Sequence, residues 1–159
     1  MKIGLIADTH DNVPMVKKAV EVFNRKNVDL VLHAGDYVAP FSLPPLFSLE
    51  CDFMGVWGNN DGDKIALEKM AQGRIMNSPS LEKVGEKTIL IGHYFETLEA
   101  LISSQQFSLI VYGHTHRCEI RKDGRTMTVN PGECGGWLYG KSTVAVADLD
   151  SQKAEILEL

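Results

Sequence analysis

The stretch Ser108–His116, "SLIVYGHTH", joins an apolar run to a glycine and two histidines. The run has the length and β-branched character of a strand, predicted over Leu109–Tyr112. Beyond it, His114 and His116 stand two residues apart. On an extended backbone, residues at that spacing point to the same side. Both imidazoles then reach one spot at a strand end, and the rest of the sequence decides what meets them.

Four other apolar runs end in the same way. "IGLIA" is followed by Asp8 and His10, "LVLH" by Gly35-Asp36, "FMGVW" by Gly58-Asn59, and "TILI" by Gly92-His93. In open α/β sheets, ligands bind at the carboxyl ends of the strands. Parallel strands put those ends on one rim. The pattern predicts that Asp8, His10, Asp36, Asn59, His93, His114 and His116 converge. The glycine before several of these lets the chain turn sharply and approach a bound ion.

Four imidazoles, two carboxylates and an amide oxygen exceed what one tetrahedral zinc takes. They suit two metals of intermediate hardness, such as Mn²⁺, Fe²⁺, Ni²⁺ or Zn²⁺. With one carboxylate bridging, such ions sit ~3.5–4 Å apart, as in two-metal phosphoryl-transfer sites. The loaded site is cationic, and a phosphate ester is its natural guest. Each element alone has a bland reading: "DTH" as a helix-capping turn, Gly35-Asp36 and Gly58-Asn59 as turn dipeptides, His93 as a packed histidine. Four of the five histidines falling at predicted strand ends is what separates the joint pattern from independent turns. His33, the fifth, lies inside a strand and reads as packing or support for a ligand.

Outward from the motifs, the first two-thirds alternate strands with helices. Strands are predicted over Ile3–Ala7, Leu30–His33, Phe53–Trp57, Leu81–Val84 and Thr88–Ile91. Helices are predicted over Asn12–Lys26, Ser42–Leu49, Asp61–Met70 and Glu96–Ser103. Asp11 or Asn12 caps the first, and Val16, Ala19, Val20 and Phe23 form its apolar face. In the last third, Glu119–Arg121 and Arg125–Val129 flank the turn "KDG", and Ser142–Leu149 pairs with Ala154–Leu157. Between these hairpins the glycine-rich "NPGECGGWLYG" reads as a functional loop. The expected fold class is α/β, two mixed β-sheets facing each other with helices outside, built as one domain over 1–159.

The chain has 159 residues, enough for one real core, and a net charge of −5. That charge argues against binding a nucleic-acid duplex through its phosphates. No apolar run approaches the ~20 residues of a membrane helix. Cys51, Cys118 and Cys134 show no paired spacing and read as reduced thiols, so a cytoplasmic location is expected. Motifs for a P-loop, a dinucleotide fold, a serine hydrolase or a zinc protease do not occur.

"DTH", "HAGD", "GNND", "IGH" and "GHTH", in that order, resemble the calcineurin-like metallophosphoesterase superfamily. The short length, "DTHDN" and "NPG" look most like its small single-domain phosphodiesterase branch. The resemblance spans Ile3 to about Gly132. It implies an αββα sandwich and hydrolysis of a small phosphodiester by a metal-bridging hydroxide. It further implies that Asp8, His10, Asp36 and His116 hold one ion, and that Asp36, Asn59, His93 and His114 hold the other. Mn²⁺ or Ni²⁺ are the favoured ions, with Fe²⁺ and Zn²⁺ as alternatives. Asn60 stands where many members carry a histidine that assists the leaving oxygen, and an amide cannot supply that proton. Asn12 and Asn60 are candidate donors to phosphate. Asp61 is a candidate orienting partner for Asn59 or a neighbouring histidine. The rivals are an interaction scaffold on the same fold, as in the retromer subunit that resembles this family, and a phosphomonoesterase. Trp137 in the glycine-rich loop fits either a homo-oligomer contact or a lid.

Overall fold

In the computed structural model, which describes residues 1–159, the chain begins with strand β1 (Lys2–Ile6) and helix α1 (Val13–Lys26). β2 (Leu30–His33) and β3 (Asp52–Val56) follow, then α2 (Lys64–Ala71), β4 (Ile75–Met76), β5 (Ser80–Val84) and β6 (Lys87–Ile91). The remainder is α3 (Leu98–Ser103), β7 (Leu109–Val111), β8 (Cys118–Asp123), β9 (Thr126–Pro131), β10 (Thr143–Asp148) and β11 (Lys153–Glu158). One sheet has the order β11-β10-β1-β2-β3-β4, and the other β5-β6-β7-β9-β8. Both are mixed. β1, β2, β3 and β4 run parallel, as do β6, β7 and β9, while the hairpins close the edges antiparallel.

The four-layer αββα sandwich follows from which faces are apolar. Ile3, Leu5, Leu30 and Leu32 from one sheet meet Ile89, Ile91, Leu109, Val111 and Val129 from the other in one buried cluster. The opposite face of β1 and β2, with Ile6 and Val31, is covered by Val16, Ala19, Val20 and Phe23 of α1. A smaller cluster of Leu90, Ile102, Phe107 and Ile110 seats α3 on the outer face of the second sheet. Alternate residues of a strand serve opposite layers, as the period of two requires.

Several local expectations shift. Asn12 is the cap of α1, its side chain accepting the Met15 N–H at 3.4 Å. Ser42–Leu49 is not a helix but part of two 3-10 turns, Pro40–Ser42 and Pro44–Ser48, because Pro44 and Pro45 remove the donors that a regular helix needs. The helix predicted from Asp61 starts at Lys64, capped by Asp63, whose side chain accepts the Ala66 N–H. The two-residue β4 was too short to leave a periodic signal. No helix is long and apolar enough to cross a membrane.

Candidate metal centre

β1, β2, β3, β6 and β7 end on one rim, and the loops leaving them interlock. The Asp8 N–H donates to Gly35 O, the His10 N–H to Asp36 O, and the Gly113 N–H to His93 O. These bonds hold backbone that an L-residue seldom adopts. Asp8, His10, Asp36, His114 and His116 all have φ between +41° and +67°. Each such residue costs on the order of 1 kcal/mol. Strain concentrated on five of the seven candidate residues is the mark of a site held in shape by its surroundings. Two glycines permit the close packing. A Cβ on Gly58 would lie 2.1 Å from Asp36 Oδ1, and one on Gly113 2.8 Å from Asp8 Oδ2.

All seven side chains meet at this rim. His116 Nε2 stands 3.5 Å from Asp8 Oδ1, and His10 Nε2 3.9 Å from the same oxygen. Asp36 Oδ2 lies 3.4 Å from His10 Nε2 and 3.4 Å from His93 Nε2. Asn59 Oδ1 lies 2.7 Å from His93 Nε2 and 2.8 Å from His114 Nδ1. Two groups of donors, Asp8 with His10 and His116, and Asp8 with Asp36 and His93, have ligand atoms within 4.8 Å of one another. Ligands about 2.1 Å from one ion and at right angles to each other stand about 3 Å apart. The separations therefore fit two neighbouring cations. The ring nitrogens are also aimed. His93 Nδ1 donates to Ala34 O at 2.8 Å, which turns Nε2 toward Asp36 and Asn59. His10 Nε2, which faces both Asp8 and Asp36, is buried without a hydrogen-bond partner. Orphaned buried polar atoms cost ~1–3 kcal/mol each unless something binds them.

The electrostatics differ between the two carboxylates. Burial pushes Asp8 up to about 6, with the His93 and His116 charges opposing it. Burial also pushes on Asp36, but hydrogen bonds from His93 and Asn60 outweigh it and hold this group well below the usual carboxylate range. Burial lowers His10 and His114. His93 is raised, because its hydrogen bond to Asp36 and that carboxylate's charge outweigh its burial.

The supporting residues divide from the expectations. Asn60 clamps Asp36: its N–H donates to Oδ1 and its Nδ2 to Oδ2, both at 2.8 Å. Asp61 makes no hydrogen bond to Asn59 or to a histidine. Its carboxylate accepts the N–H groups of Val38 at 2.8 Å and Gly58 at 2.7 Å, tying two rim loops together. Asn12 is engaged at both ends, as the cap of α1 and as donor to Gly135 O at 2.7 Å. His33 is fully buried and does not reach the centre. It stacks on Tyr37 and accepts the Gly35 N–H at Nδ1, 3.1 Å away. Its Nε2 then carries the proton and meets Thr9 Oγ1 at 3.3 Å, whose hydroxyl donates to Asp36 O.

Glu133 carries no assigned role in the sequence reading, yet it is buried beside the centre. One oxygen lies 3.4 Å from His116 Nδ1, and the carboxylate accepts the N–H groups of Trp137 and Leu138. It follows β9 by two residues, so the same strand-end logic that found the other residues points to it as well.

Five strand ends on one rim, an αββα sandwich and this His/Asp/Asn cluster define a metallophosphoesterase. Residues 1–152 match the model of the calcineurin-like phosphoesterase superfamily domain, and the chain belongs to that family. It is 34% identical over 165 residues to "Phosphodiesterase MJ0936" of Methanocaldococcus jannaschii, covering 100% of this chain and 98% of that one. A solved structure described as a novel archaeal phosphodiesterase superposes with a TM-score of 0.91 at 32% identity, covering both chains completely. Wild-type Vps29 of Entamoeba histolytica complexed with Zn²⁺ shares the fold, with a TM-score of 0.71 and 19% identity over 99% of each chain.

Proposed function

We propose that this chain is a dinuclear metal-dependent phosphodiesterase acting on small diesters, with its single domain over 1–159 as the catalytic unit. The observation that carries this reading is Asp36 Oδ2 standing 3.4 Å from both His10 Nε2 and His93 Nε2, with Asn59 Oδ1 and Asp8 alongside. Asp8, His10, Asp36 and His116 form one set of ligands. Asp36, Asn59, His93 and His114 form the other, and Asp36 is shared. Two divalent cations held by these sets would supply an acidified water and positive charge against the phosphoryl oxygens. Mn²⁺ and Ni²⁺ match the mixed nitrogen and oxygen donors.

The protein's own groups then act by holding geometry. Asn60 fixes both oxygens of Asp36, and His93 is oriented by Ala34 O. Glu133 lies against His116 Nδ1, the placement that holds an imidazole's other nitrogen toward an ion. Asn60 offers no acidic proton to a departing alkoxide, which favours diesters with good leaving groups. The three free thiols suit a reducing compartment, in keeping with a cytoplasmic enzyme.

The test is hydrolysis of bis(4-nitrophenyl) phosphate by metal-stripped protein, before and after adding Mn²⁺ or Ni²⁺. Turnover restored by metal and lost in Asp36→Asn and His93→Ala supports the reading. Turnover indifferent to chelation, or absent with every divalent ion, contradicts it. A 4-nitrophenyl monoester hydrolysed faster than the diester would reassign the substrate class.

A further inference from the structure

The rim is charged, yet one wall beside it is not. A cleft of about 440 Å³ opens at His10, Asn60 and His116, and its apolar side is Val38, Trp137 and Leu138. Trp137 and Leu138 are 65% and 66% exposed. The backbone that carries them is anchored at several points. The backbone N–H groups of Trp137 and Leu138 donate to the buried Glu133 carboxylate. The Trp137 indole N–H donates to His10 O at 3.0 Å. Gly135 just upstream is held by Asn12 Nδ2 at its carbonyl and by Asp8 O at its N–H. The two acids at the cleft edge are occupied by backbone: Glu133 as described, and Asp11 by the Ala39 N–H at 3.0 Å.

The indole is thus fixed to the backbone of one candidate ligand, His10, and the loop's base is fixed to the carboxylate that faces another, His116. A rigid apolar face held open next to a phosphate-handling centre fits the carbon arm of an ester. We infer that the Trp137–Leu138 wall is a subsite for an aromatic ring carried on the substrate phosphate, the ring lying on the indole face. This deepens the phosphodiesterase reading above and rests on it. A flat π-face rewards an aryl or heteroaryl group over a small alkyl group, because stacked rings gain dispersion and quadrupole contact in addition to area. Such a ring has two sources: a phenol ester, with the ring on the ester oxygen, or a nucleotide, with the base beyond the ribose.

The experiment is calorimetric titration of the Mn²⁺-loaded protein with methyl phosphate, phenyl phosphate and adenosine 5′-phosphate, in wild type, Trp137→Ala and Trp137→Phe. The wild type binds at least one of the aromatic esters roughly tenfold more tightly than methyl phosphate. In Trp137→Ala that ratio falls toward one, and in Trp137→Phe it is largely kept. The aromatic ester whose ratio collapses identifies the source of the ring. Equal binding of all three esters by wild type, or a ratio unchanged in Trp137→Ala, overturns the subsite while leaving the metal centre's phosphate binding intact. Loss of all three esters in equal proportion in Trp137→Ala also overturns it, since the residue then acts only through His10. If wild type binds none of them, the subsite is overturned, and the metal-dependent diester turnover described above decides the phosphodiesterase reading separately.

Discussion

His33 gives a prediction that reads the frame behind the centre and does not depend on bound metal. It is fully buried, and burial lowers it to about 3. Its Nδ1 already accepts the Gly35 N–H, so a second proton there would face a donor. The unfolded chain titrates this group near its ordinary value of about 6.5. With the folded value below the unfolded one, the unfolded state takes up the proton first as pH falls. Stability is therefore fully present above about pH 6.5 and declines toward pH 3, at up to about 1.4 kcal/mol per unit. Integrated from pH 7 to pH 5, the loss is about 2 kcal/mol. The assay is urea unfolding of metal-stripped protein at pH 7, 6 and 5, wild type against His33→Gln. Glutamine can accept the Gly35 N–H but does not titrate, so its variant starts less stable and loses less. The gap between the two proteins should narrow by about 2 kcal/mol over that range. Parallel pH profiles would refute the reasoning, because the other titrating groups are common to both proteins.

Other outcomes follow from close contacts. In Gly58→Ala the new methyl would lie 2.1 Å from Asp36 Oδ1 and 2.3 Å from Asp36 N, so the shared ligand must move; Mn²⁺ affinity and turnover drop together, with stability lowered by about 2 kcal/mol or more in thermal melts. Glu133→Gln keeps the shape but removes the charge beside His116 Nδ1, and metal affinity measured by competition with a chelator should fall about tenfold. Asn60→His replaces the side-chain clamp on Asp36 with an imidazole at the cleft edge that can carry an acidic proton, so under single-turnover conditions the rates fall overall while the gap between 4-nitrophenyl and phenyl leaving groups narrows, by about tenfold.

Much of the site was legible because its residues follow apolar runs. Parallel strands carry their ends to one rim, so Asp8, Asp36, Asn59, His93 and the Gly113–His116 turn could be brought together by counting strands alone. The layer order was legible for the same reason, since the apolar face of α1 and the alternation in the hairpins show what covers what. The misses lie where side chains serve backbone. Asp61 looks like a ligand partner in "GNND", but whether a carboxylate turns to a side chain or to the N–H groups of Val38 and Gly58 depends on loop contacts that no periodicity encodes. Asn12 was readable as a cap, and its second bond to Gly135 spans 123 residues. Glu133 was hidden by its glycine-rich context, where a buried acid is not the usual expectation. The left-handed backbone of Asp8, His10, Asp36, His114 and His116 is likewise a property of interlocked loops and not of local preference.

The most direct measurement is the number of ions bound per chain. Metal-stripped protein is equilibrated with Mn²⁺, passed through a desalting column, and analysed by plasma emission against protein concentration. Two ions per wild-type chain, with the higher-affinity and lower-affinity sites both lost in Asp36→Asn, is the result predicted by a carboxylate shared between His10 and His93. A single ion per chain, or two ions retained in Asp36→Asn, would contradict it.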